Sequence, residues 1–328
     1  MGVFAKVSAI PRTNVRGYRW KSIIRNVTSV VRPGRSWLLA FAVCSLLLAA
    51  CAPALDNEPR AAANEMPQVV SLAPSITEII FALDAGDQLL GRSMHCTYPD
   101  AAVTIPSVGR IDLPDLETLL TLKPDRLILS GLTPLEVEQR IRRLGLPTLR
   151  LEHSGLDGLR SDMVTLAETL GRVEEGRVLL ERWDSVIANV EAAVAASSAT
   201  PPRVVLLYSM SALYSAGEGS FVGDLITLCG GVNIARKALS PWPQLNREAV
   251  LAENPQIILL AMSSDERSAT DQDRFIEQLQ ADSFWRQIDA VRDGRIHFIP
   301  SDWLTVPGPR TLNAIEAIFA ALHQKALQ

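Results

Sequence analysis

ETLLTLKPDRLIL at 117–129 and EAVLAENPQIILL at 248–260 share one pattern. In each, a Glu opens a short amphipathic stretch, a Leu stands three residues on, a Pro seven residues on, and an apolar run completes the unit. The Pro stops the helix, because its ring lacks an N–H and clashes with the preceding turn. The Ile- and Leu-rich run that follows reads as a strand covered on both faces. The copies lie 131 residues apart, about the length of one domain. One copy in each half predicts two related α/β lobes.

The surrounding sequence repeats the same grammar. QVVSL (68–72), DRLILS (125–130), PTLRL (147–151), RVVLLY (203–208), QIILLA (256–261) and RIHFIP (295–300) alternate with helical patterns. Strands separated by helices imply parallel sheets with helices on both faces. Ser75 and Glu78 have the spacing of a capping box opening SITEIIFAL, with Gly86 placed to close that helix. Pro134 opens PLEVEQRIRRLG, and Gly145 marks its end. Residues 174–197 form the longest uninterrupted helical pattern, with Val178, Leu179, Trp183, Val186, Ile187 and Val190 as its apolar positions. The expected organisation is an N-terminal lobe at 67–173, a linker helix at 174–201 and a C-terminal lobe at 202–328. Lobes joined by a stiff helix move less than lobes joined by loose crossing strands.

The first 50 residues read as an address. WLLAFAVCSLLLAA at 37–50 carries no charge, follows a basic stretch ending at Arg35, and is short for a permanent membrane span. Leu48-Ala49-Ala50-Cys51 resembles the lipobox of bacterial lipoproteins, which makes Cys51 the expected lipidation site and 1–50 a lipoprotein signal peptide. An ordinary cleaved signal and a single membrane anchor are the alternatives. Residues 51–66, rich in Ala, Pro and polar groups after the cysteine, read as a flexible tether.

Composition narrows the function. The chain has 328 residues, 48% hydrophobic and 21% charged, which is globular rather than disordered. Its net charge of -4 includes a leader with eight Lys and Arg and no acid; without it, 24 basic residues face 36 acidic ones, or -12. A net-acidic body argues against nucleic acid as a partner. No GxSxG, P-loop or HExxH occurs, and no GxGxxG opens a helix after a strand, so an enzyme is not expected. His153, His297 and His323 are scattered, which suits neither a catalytic constellation nor a zinc or manganese site. Two cysteines remain in the body, and export would permit Cys96 and Cys229 to pair without fixing that they do.

Six fragments then carry a resemblance: VVSLAPSITEIIFAL at 69–83, Tyr98-Pro99 with Val108-Gly109, LETLLTLKPDRLIL at 116–129, LCGGVNI at 228–234, SPWPQLNREAVL at 240–251, and Ser301-Asp302-Trp303 with Gly308-Pro309-Arg310. In this order they resemble the substrate-binding proteins of ABC importers, in the helical-backbone class that handles cobalamin, haem and ferric siderophores. The resemblance implies two Rossmann-like lobes joined by one long helix, a ligand captured between them, and delivery to an ABC permease dimer with its ATPase subunits. It also implies a monomer without a cofactor of its own. The match is closest to the cobalamin-binding branch, where aromatic residues at the places of Tyr98, Trp242 and Trp303 line the cleft. Asp302 belongs to the same turn as Trp303.

A buried ring offers broad contact area to a flat, mostly apolar macrocycle, and its N–H or O–H a polar handle. Trp242 has a core residue as its alternative, but its Pro-flanked loop position before a helix favours exposure in the cleft; Tyr98 reads equally as a turn residue, and Trp183 and Trp285, inside helical patterns, belong to the core or the linker packing. The chain departs from that branch in two places. A tryptophan expected between Gly109 and Leu116 is replaced by Arg110-Ile111-Asp112, and LNAIEAIFAALH at 312–323 lacks the cysteine that partners the Cys229 position. Arg110 would suit a ligand with acidic groups, and His95 is a candidate axial nitrogen or an ordinary loop histidine. In the resembled family, one glutamate on top of each lobe pairs with arginines of the permease; here these are Glu117 and Glu248. Both also sit favourably at a helix N-terminus. An envelope sensor or adhesion module on the same fold is the rival from another class.

Overall fold

The computed structural model describes residues 66–152, 155–263, 268–324 and 327. The leader, Cys51, nearly all of the tether and His153 lie outside them. The described residues fall within one compact unit, 64–328. It contains two four-stranded sheets, all strands parallel. The first has β1 (Val69–Ser71), β2 (Leu89–Arg92), β3 (Arg126–Ser130) and β4 (Thr148–Leu151), in the order β2-β1-β3-β4. The second has β5 (Arg203–Leu207), β6 (Val232–Asn233), β7 (Ile257–Met262) and β8 (Ile296–Pro300), in the order β6-β5-β7-β8. The two orders are identical, and in both the strand order reverses between the first and third strands, β1 and β3 or β5 and β7. The carboxyl ends flanking that reversal are where open α/β sheets form their crevice.

The repeat in the sequence is a repeat in space. Helices α2 (Leu116–Leu122) and α7 (Arg247–Glu253) are each capped by a side chain, Asp115 accepting from the amides of Glu117 and Thr118, Asn246 from that of Ala249. Each ends in a left-handed residue, Lys123 at φ 47° and Asn254 at φ 41°. Pro124 and Pro255 follow and forbid continuation. Leu119 and Val250 are the fully buried anchors of the two turns.

The other helices are α1 (Pro74–Ala82), α3 (Leu135–Arg143), α4 (Gly155–Thr169), α5 (Val173–Ala195), α6 (Phe221–Leu228), α8 (Ala269–Ala281), α9 (Asp289–Arg292), α10 (Ser301–Thr305) and α11 (Thr311–His323). Helix α5 is the expected linker. Trp183 and Val190 are buried on it, but Val178 is exposed, so the apolar stripe is narrower than its sequence suggests. Gly176 lets α5 lie close on α4, since a Cβ there would stand 2.4 Å from that of Ala167. The largest apolar cluster runs through β1 and β3, Trp183 and Val190 of the linker, and β5 and β7, ending at Leu322. One continuous core therefore couples both sheets to the linker.

The capping box did not form. Helix α1 starts at Pro74 after Ala73, which gives no side-chain cap, and the Glu78 carboxylate is drawn to Arg310 instead. Gly86 does not close α1 either; Leu83 ends it, and Gly86 opens a 3-10 turn whose close packing against Phe81 leaves no room for a Cβ. Strands β2 and β6 escaped the sequence reading: four and two residues long, they add too little apolar pattern to stand out. Trp183 and Trp285 are buried as expected. Cys96 and Cys229 are both buried and free, so the disulfide that export would permit is not made. Burial pushes the Cys229 thiol up to about 12 and that of Cys96 upward, which leaves both unreactive. In the last helix, which has no cysteine, His323 stacks on Phe319 and its Nε2 lies 2.9 Å from the carbonyl oxygen of Cys229.

Candidate functional site

A cavity of about 590 Å³ opens between the carboxyl ends of the two sheets. From the first sheet it takes Ala73–Ser75 after β1, Ser130–Leu132 after β3, Glu152 after β4, and Ile111. From the second it takes Gly219–Phe221 at the start of α6, Trp242, and Thr305–Pro307 after α10. The wall is chiefly apolar, with the polar residues Ser75, Ser130, Glu152, Ser220 and Thr305 at intervals. Such a surface fits a large ligand with broad apolar faces and polar edges.

Each wall is held by its own backbone chemistry. Leu132 is 82% exposed at the tip of the turn after β3. Arg150 fixes that turn by donating to the carbonyls of Gly131 (2.9 Å) and Thr133 (3.0 Å) while pairing with Glu138 and Glu152. Opposite, Trp242 sits between Pro241 and Pro243, whose missing N–H groups limit this loop to a single bridge, Gln244 with Tyr214. Their carbonyls accept from Gly217 and Ser215 at 2.9 Å, which pins the loop to the second sheet's rim. Trp242 remains 51% exposed, and Tyr208 meets it edge-on with ring centroids 5.9 Å apart. Tyr208 also borders a smaller hollow of about 340 Å³ at the ends of β5 and β7, where its buried hydroxyl has no partner and desolvation keeps it un-ionised.

The other expected ligand residues lie beside the cavity rather than on its wall. Tyr98, 47% exposed and joined to Pro99 by a cis peptide, lies with its ring 4.0 Å beneath the guanidinium of Arg310. Asp302 accepts from Arg310 Nη1 at 3.0 Å. Trp303 is partly buried against the main core, and the wall at this corner is made by the three residues from Thr305. Arg110 is exposed and forked onto Asp112 at 2.9 and 2.8 Å, so its charge is already answered within its own loop. That hydrogen bonding holds the Asp112 carboxyl below the usual carboxylate range. His95 is an exposed loop residue whose amide donates to Ser93 Oγ. Among the described residues no group of three or more His, Cys, Asp or Glu is placed to hold a metal ion.

Ile111, Leu132, Phe221, Val306 and Pro307 were missed. Each is an ordinary apolar residue whose role comes only from the loop that carries it past a strand end, and the available signal was that position. Glu117 and Glu248 are exposed in the first turns of α2 and α7.

Comparison with known proteins agrees with this architecture. Residues 69–303 match the family described as Periplasmic binding protein. The vitamin B12-binding protein of Vibrio cholerae is 28% identical over 257 residues, 76% of this chain and 87% of that protein. The crystal structure of the periplasmic vitamin B12 binding protein of Vibrio cholerae superposes with a TM-score of 0.66 at 28% identity, covering 78% of this chain and 96% of that one. The periplasmic heme-binding protein from Roseiflexus sp. RS-1 gives a TM-score of 0.65 at 25% identity, covering 79% and 100%. With more than half its length matched, this chain belongs to the periplasmic binding protein family.

Proposed function

We propose that this chain is the substrate-binding lipoprotein of an ABC importer, capturing cobalamin or a related corrinoid between its lobes and delivering it to the permease. The observation that carries the reading is the chiefly apolar cavity of about 590 Å³ at the carboxyl ends of both sheets, with the half-exposed ring of Trp242 on its wall. A corrin offers a broad face to such a ring and amide edges to the polar residues of the wall. Similarity to vitamin B12-binding proteins over most of the chain supports this ligand. Haem or a ferric siderophore is the second reading, supported by the heme-binding relative of the same fold.

In this reading the protein is exported, acylated at Cys51, and works as a monomer without chemistry of its own. Glu117 and Glu248 dock it on arginines of a symmetric permease dimer, and Tyr98 and Asp302 flank the ligand. Exposed ion pairs contribute little energy, but two fixed carboxylates set orientation and steer encounter.

Calorimetry of the chain from Ala52 onward, against cyanocobalamin, cobinamide, haemin and a ferric siderophore panel, tests the ligand. Tight one-to-one binding of corrinoids alone is expected. Binding of an iron chelate alone moves the assignment to the second reading, and no binding at all refutes both.

A further inference from the structure

Arg310 stands just before α11, which packs on α6 and β8 of the second sheet, yet two of its partners belong to the first. Its Nε donates to Glu78 Oε2 at 2.9 Å and its Nη2 to Glu78 Oε1, across 232 residues of sequence. Its Nη1 donates to Asp302 of α10 at 3.0 Å, and its plane covers one face of Tyr98 at 4.0 Å. Only 11% of the Arg310 side chain and 2% of that of Glu78 reach solvent. The segment leading to Arg310 is seated just as closely: a Cβ on Gly308 would lie 3.4 Å from Glu78 Oε2 and 3.7 Å from the Ser75 carbonyl oxygen. The residues on either side of this contact, Ala73–Ser75 and Thr305–Pro307, are opposing walls of the cavity.

We propose that Arg310 is the positioning residue of the cleft, a single guanidinium that ties α1 to α10 and Tyr98 and so fixes the gap between the walls at Ser75 and Thr305–Pro307. The geometry demands arginine. A planar fork can bond two carboxylates along its edges while stacking an aromatic ring on its face, whereas an ammonium is a point charge without a plane. A buried pair of this kind adds little net stability over an apolar contact, but losing one partner strands the other charge. Its value is in register: the two walls are held at one spacing before any ligand arrives, which lowers the ordering cost of binding.

The inference rests on the proposed function for its ligand arm and not for its structural arm. The test compares the full-length protein in detergent with its Arg310→Met, Arg310→Lys and Glu78→Gln variants, by amide hydrogen exchange without ligand and by stopped-flow dissociation of cyanocobalamin and haemin. Arg310→Met is expected to accelerate exchange about tenfold in α1 and in residues 305–311 while the strands keep their protection. Whichever probe binds the parent should dissociate at least about tenfold faster with unchanged association. Arg310→Lys should not restore either property, and Glu78→Gln, which keeps the volume and one acceptor oxygen but sets an N–H2 donor against the guanidinium, should fall between. Uniform acceleration through both sheets would overturn the proposal by reducing Arg310 to a global stabiliser, as would unchanged exchange in the two segments. If neither probe binds the parent, the ligand reading fails while the exchange result still decides the tie.

Discussion

The two lobes are most alike where the chain is shortest and least alike where it is longest. Helix α2 with β3 and helix α7 with β7 share their caps, their left-handed exits, their prolines, their buried anchors and their outward glutamates. The connections differ. Two residues, Leu72 and Ala73, lead from β1 into α1, whereas Tyr208–Ser220 intervene between β5 and α6. The first lobe presents Leu132 from a turn clamped by Arg150; the second presents Trp242 from a proline-flanked loop. A duplicated scaffold thus gives a near-symmetric rim of matched helix–strand units and an asymmetric cleft.

The symmetry of the rim is the easiest part to break. Reversing both charges, Glu117→Arg with Glu248→Arg, is expected to abolish stimulation of the transporter ATPase while leaving ligand affinity intact. Each single reversal should cost a similar share, since the two helices are built alike. Undiminished stimulation by the double variant would remove the docking role, and a large effect from one side alone would show that the rims are equivalent in form only.

The equivalence of the anchors is a stability question. Leu119→Ala is expected to cost about 3 kcal/mol and Val250→Ala somewhat less, in proportion to the smaller side chain. At about 2–4 °C per kcal/mol for a domain of this size, the melting temperature would fall by roughly 6–12 °C for the first. If Val250→Ala proved harmless, the C-terminal copy of the turn would be tolerating a cavity that the N-terminal copy does not.

The asymmetry of the cleft is sharpened by two tryptophans. Trp242→Ala should weaken ligand binding about 30-fold, the scale of a central aromatic anchor, with little change in melting temperature because the ring is half exposed. Trp303→Ala should do the opposite, since that ring packs partly against the main core. Calorimetry and thermal melts on the same two variants separate the roles, and an exchange of phenotypes would show that Trp303, not Trp242, is the ring on the ligand.

How much of this was legible follows from how local each cause is. The six strands β1, β3, β4, β5, β7 and β8 and the short helices ahead of β3 and β7 could be read because apolar runs and prolines act within a few residues. Trp242 could be singled out because its flanking prolines forbid regular structure. Glu78 could not: its spacing from Ser75 spells a capping box, and the partner that overrides it lies 232 residues away. Leu132 and Phe221 carry no signal beyond their place past a strand end, since only the packing of one lobe against the other makes them a wall.

The smallest effect tests whether the lobes differ in their cores as well as in their loops. In the first sheet Ile128 pairs with Leu149; at the matching place in the second, Leu259 pairs with His297. The Nε2 of His297 is buried without a partner, and burial, with a smaller contribution from the Arg295 charge, pushes its pKa below the ordinary histidine value. The unfolded chain therefore binds this proton more readily than the folded one. The stability that neutral His297 contributes is present above about pH 6.5 and is lost as pH falls toward the depressed folded value. His297→Leu, which installs the residue type of the first lobe, should remove that slope. Between pH 7 and pH 5 the parent's melting temperature is expected to fall more steeply than the variant's, and parallel curves would mean that protonated His297 finds an acceptor and that the two cores behave alike.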